Sequence, residues 1–110
     1  MASIDDVLDS LKGEALKLIK DELKDLLTSA QNDADKVIRD TGEKITQWLW
    51  MRAQGELSDG ELEALLYSRD QMLRQYKNTT LIQARARVEK IAVGLINLVL
   101  DKIIGIRFGP

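Results

Sequence analysis

Residues 4–53 read IDDVLDSLKGEALKLIKDELKDLLTSAQNDADKVIRDTGEKITQWLWMRA, and whether they form one helix or several decides the fold. Apolar residues recur in this stretch at a spacing of eleven. Ile4, Ala15, Leu26, Val37 and Trp48 form one series, and Leu16, Leu27, Ile38 and Leu49 a second. Leu8, Ile19 and Ala30 form a third, with Thr41 next, and Leu23, Ala34 and Ile45 a fourth. Eleven residues complete almost three helical turns, so on one long helix these positions make a stripe nearly parallel to the axis. Ser3 followed by Asp6 has the form of a capping box at its start, and Asp5, Asp6 and Asp9 suit the positive end of the helix dipole. Gly13 and Thr41-Gly42 are the weak points, since a mid-helix glycine costs ~1 kcal/mol relative to alanine. The stripe keeps its phase across Gly42, and no Pro or Asn-Gly accompanies it. One continuous helix is therefore expected over about 4–53.

Working outward, Gln54-Gly55 is the stop, with Gly55 placed just past the helix end. Ser58-Asp59-Gly60-Glu61 then carries a capping box, Ser58 at the N-cap and Glu61 three residues on. The turn falls at about 54–58, and a second helix is expected over about 59–105. Leu62, Leu66 and Leu73 define its stripe; Ala84, Val88, Ile91, Leu95 and Leu98 resume it. Asn78-Thr79-Thr80 is its ambiguous point, either a cap for a new helix near Leu81 or part of one long helix. At ~1.5 Å per residue each arm would be ~70 Å long. Equal arms across one capped turn predict an antiparallel helical hairpin forming a single domain over residues 1–110. Three or four shorter helices, broken near Gly42 and Asn78, are the alternative.

The stripe is wider than a hairpin seam needs. Ile91, Ala92, Val93, Leu95, Ile96, Leu98, Val99, Leu100, Ile103 and Ile104 leave a polar arc of little more than Lys90, Asn97 and Asp101. A helix apolar almost all round is buried on several sides. Two helices cannot supply that burial, so the hairpin is expected to dimerise into a four-helix bundle. Leu8, Leu11, Ile91, Leu95, Leu98, Val99 and Ile103 are the candidate interface residues.

Chemistry is hard to place on this chain. Its 110 residues include no His and no Cys, which removes His–carboxylate pairs, thiolate metal sites and Cys nucleophiles. Glu61 and Glu63 stand two apart on a helix and diverge. Gly55 and Gly60 flank a turn without a following Lys-Ser/Thr, so no phosphate loop is present. No catalytic, metal or cofactor-binding residue is assigned, and no enzyme activity is expected. The formal net charge of −2 makes no case for nucleic acid, although residues 69–90 lean basic. MASIDDVLDS lacks the pattern of a signal peptide, and Ile91–Leu100 is too short to span a bilayer, so a cytoplasmic location is expected. Trp50 stands two residues beyond Trp48 and projects away from the stripe, as a partner anchor would. The functional expectation is a homo-oligomeric scaffold or adaptor that works by protein–protein contact. Its alternative is a peripheral lipid-surface protein, with the apolar C-terminal segment flanked by Lys90, Lys102, Arg107 and Phe108 lying on the membrane.

Overall fold

In the computed structural model, which describes residues 3–11 and 13–105, the first stripe is divided among separate helices. Helix α1 spans Ile4–Ser10, α2 is a single turn over Glu14–Lys17, α3 covers Lys20–Gln31 and α4 Lys36–Ala53. Helix α5 covers Asp59–Thr79. A C-terminal helix follows as α6 (Ile82–Arg87), a wider π-helical stretch (Val88–Val93), α7 (Gly94–Leu98) and a second π-helical stretch (Val99–Ile104). The junctions between these pieces are all right-handed helical, so the rod is continuous. No strand occurs among the described residues.

The expected helix over 4–53 is interrupted after Ser10, Lys17 and Gln31; Leu18 and Ile19 keep a right-handed helical backbone, and the other two interruptions are full breaks with local causes. Ser3 caps α1 with the anticipated box: its hydroxyl accepts from Asp6 N at 3.1 Å, and Asp6 accepts from Ser3 N at 3.0 Å. The helix then stops at an extended Leu11, and Gly13 takes φ +101°, a conformation that side-chain-bearing residues resist. The second break is Asn32-Asp33-Ala34-Asp35. Asp33 Oδ1 accepts from Asp35 N at 2.8 Å, and Asp35 Oδ1 accepts from Val37 N and Ile38 N at 2.8 and 3.2 Å. An aspartate turn thus hands the chain to an aspartate N-cap, and α4 doubles back on α3. Arg39 closes the corner by donating to the carbonyls of Asp33 and Ala34. Two later helices pin it: Tyr76 of α5 donates to Asp35 Oδ2 at 2.7 Å, and Arg87 pairs with Asp33 at 3.1 Å. Asp35→Ala removes the cap and strands the Tyr76 hydroxyl, so a loss of about 1–2 kcal/mol is expected in denaturant unfolding.

Gly42 does not break α4. It is where α3 and α4 come closest: a Cβ built on Gly42 would lie 2.5 Å from the Cβ of Ala30. The expected stop after residue 53 is observed. Gly55 N bonds to Arg52 O and Glu56 N to Met51 O, a Schellman closure. Ser58 accepts from Glu61 N at 3.1 Å, and Glu61 accepts from Ser58 N at 3.0 Å. Arg52 and Asp59 pair across the turn at 2.5 Å. Ser58→Ala is expected to cost ~1 kcal/mol, whereas Ser68→Ala, on the exposed middle of α5, should be neutral or slightly stabilising. Hydrogen bonds from the Ser58 backbone and side chain hold the Glu61 carboxyl below the ordinary glutamate range. The box should therefore persist above that range and weaken as pH falls through the lowered value.

The second arm also breaks, at Thr80 and Leu81, both extended. The C-terminal helix then returns along α5, where Lys77 and Glu89 pair at 2.8 Å. Its apolar girdle is explained by its place: it packs against α3, α4 and α5 at once. Val88, Ala92, Leu95, Ile96, Val99 and Ile103 join Leu23, Leu27, Ile38, Ile45, Leu49, Leu62, Leu66 and Leu73 in one core. The chain has a radius of gyration of 13.4 Å and a longest extent of 39 Å. A hairpin of two ~70 Å arms is excluded by that extent. The burial that two straight helices could not supply comes from folding each arm back on itself.

A candidate partner-binding groove at Trp50

Helix α4 presents two faces. Ile38, Thr41, Gly42, Ile45 and Leu49 turn inward and are buried. Glu43, Thr46, Gln47, Trp50 and Met51 follow the i, i+3, i+4, i+7, i+8 spacing of a second face, and this one lines a groove of about 590 Å³. Asp6 of α1, Gln31 at the end of α3 and Glu56 of the capped turn complete its walls. A smaller hollow of about 380 Å³, lined by Asp6, Asp9, Ser10, Trp50, Ala53 and Gln54, adjoins it. Trp50 borders both. Its indole is partly buried, packed on the core from one side.

Each wall has a structural reason to hold still. Trp50 sits in the last turns of an 18-residue helix closed by the Gly55 motif. Thr46 is buried, with its hydroxyl donating to Gly42 O at 2.8 Å. Asp6 is fixed by the Ser3 box, which leaves its other oxygen outside that bond. Glu43 and Glu56 are exposed, and neither has an ion pair with a described residue. Among the described residues, no Lys or Arg lines the groove or its neighbour.

A hollow of about 530 Å³ between the α3–α4 corner and the α5–α6 corner differs in this respect. Its Asp35, Tyr76 and Arg87 are engaged in the bonds that pin the corner. Arg69 is likewise committed: it donates to Thr41 Oγ1 at 3.0 Å and Val37 O at 3.4 Å, clamping α5 to α4. Burial lowers its pKa, and the Asp40 carboxylate opposes the shift.

The other residues expected at a functional surface lie inside. Leu8 and Leu11 are buried in the core with Leu95, Leu98, Val99 and Ile103, while Ile91 is partly buried against it. One chain covers them, so the reason for assigning them to an interface between copies is gone. Arg107 and Phe108, invoked for a lipid surface, lie outside the described residues. Among the described residues, no helix is long and apolar enough to cross a membrane. No group of three or more Asp or Glu among them is placed to hold a metal ion. Of the expected site residues, Trp50 lines the groove. The rest of the groove escaped the sequence because Asp6, Gln31 and Glu56 reach it from other elements. No family model, curated protein or solved structure matches this chain. The geometry alone carries the functional argument.

Proposed function

We propose that this protein is a non-enzymatic helical adaptor that acts by protein–protein contact, with the Trp50 groove as its contact surface. One observation carries the reading: a partly open indole on a rigid helix borders a groove whose exposed carboxylates pair with no cation among the described residues. Tryptophan in such a setting is over-represented among residues that dominate binding energy. Homo-oligomerisation was expected because two helices leave apolar surface uncovered. With that surface covered by α3, α4 and α5, we propose a self-sufficient protomer whose groove meets a different protein. The lipid-surface alternative needed the apolar side chains of Ile91–Ile104 outside. Most are inside, and the large exposed apolar residues among those described are Leu18, Tyr67, Leu81 and Ile82, none of which lies in that segment.

A photo-crosslinking amino acid at Gln47, in cells that make the protein, tests the reading. A discrete protein adduct is expected, lost when Trp50→Ala is added, and not formed from a crosslinker at Ala86 on the outside of α6. The same adducts from both positions, indifferent to Trp50, would contradict it.

A further inference from the structure

The groove has a chemical bias that narrows its partner. Asp6, Glu43 and Glu56 line it and Asp9 lines its neighbour, and among the described residues neither wall has a lysine or arginine. Elsewhere among the described residues several carboxylates meet cations. Asp33 meets Arg87, Asp59 meets Arg52, Asp70 meets Arg74 and Glu89 meets Lys77. In the groove acidic groups border an aromatic face, and among the described residues no cation lines it with them. The carboxylates are spread over α1, α4 and the capped turn, and no three of them converge on a metal ion. The space suits an organic cation with length and an apolar stem.

We infer that the groove binds a cationic side chain, arginine above all, carried on a segment of the partner protein. The inference rests on the adaptor reading and adds the chemistry of what the groove recognises. A guanidinium stacks flat on the Trp50 indole, whose π face attracts cations. In that position its edge reaches the Glu43 or Glu56 carboxylate, and one carboxylate takes two parallel N–H bonds from it. Gln31 and Gln47 offer amide oxygens to the remaining donors or to the partner backbone. Met51 supplies a soft apolar wall for the methylene stem. Lysine satisfies the charge without the stacking or the two-point bond, so it binds more weakly.

The test titrates a blocked hexa-arginine peptide into the full chain carrying Trp48→Phe, which leaves Trp50 as the sole indole reporter. Hexa-citrulline serves as the uncharged isostere, and calorimetry gives the affinity. Saturable binding of hexa-arginine with a change in Trp50 emission is expected, falling as salt rises. Hexa-lysine should bind less tightly, and hexa-citrulline not at all. Glu43→Gln with Glu56→Gln should weaken the arginine peptide by about tenfold or more. Both positions are exposed, so this double variant keeps its fold, whereas Trp50→Ala also removes packing against the core. Equal affinity for wild type and the Glu43→Gln/Glu56→Gln variant overturns the inference, as does no binding. A Trp50-dependent crosslinked partner whose contacting segment lacks Arg and Lys overturns the inference and leaves the adaptor reading standing. Peptide binding without any Trp50-dependent crosslink does the reverse.

Discussion

Leu95→Glu is expected to unfold the chain. Leu95 is completely buried, on the stretch of the C-terminal helix that packs against α3 and α4. A carboxylate there has no water, and no cation partner shares the core. The penalty for an uncompensated buried ion is several kcal/mol, on top of about 2–5 kcal/mol for the lost leucine packing. Domain stabilities of about 5–15 kcal/mol leave little after that subtraction. Circular dichroism at room temperature should show a large loss of helix. Asn97→Glu is the control, exposed on the same helix two residues away, and should change stability by less than about 0.5 kcal/mol. If Leu95 lay between copies instead, the variant would stay helical and only its mass would fall.

Gly42→Ala should destabilise, although alanine is the better helix former by ~1 kcal/mol. The sign is what makes the result informative. A glycine in the open middle of a helix gains stability on this change. Here the new methyl would lie 2.5 Å from the Ala30 Cβ, which is fixed to its own backbone and cannot rotate away. Helices α3 and α4 must separate, at about 1–3 kcal/mol for overpacking of this kind. Ala30→Gly in the same chain should relieve the clash, so the cost of Gly42→Ala should shrink or reverse in that background. A double-mutant cycle by urea unfolding measures the coupling. Additive effects would mean that the two helices do not meet at this pair.

Much of the inside and outside of this molecule was legible in its sequence, and the course of the chain was not. Leu8, Ile19, Ala30 and Thr41, eleven apart, are all buried. The spacing reports which side of each helix faces the core, and it survives the breaks at 11–13 and 32–35. It therefore could not report continuity. Among the described members, Ala34 is exposed and sits in the corner itself. The corner had a signal that the search for Gly and Pro passes over: Asn32, Asp33 and Asp35 are residues whose short side chains bond to the local backbone and start helices. Continuity across Gly42 was legible from the phase of the stripe, but a helical glycine has two explanations, and only a neighbouring helix decides for close approach. The caps at Ser3 and Ser58 were readable because all their partners lie within three residues. The girdle of the C-terminal helix was correctly read as burial on several sides. What covers it depended on the breaks at Asn32 and Thr80. The groove was legible only at Trp50 for the same reason, since its carboxylates come from three separate elements.

Closure of the core within one chain is open to direct test by small-angle scattering with light-scattering mass on the same sample. The expected result is the mass of one chain and a radius of gyration close to the 13.4 Å of the Cα trace, raised only by side chains and hydration. A radius above ~20 Å, from two extended arms of ~70 Å, would contradict it, and so would a folded species found only as a dimer.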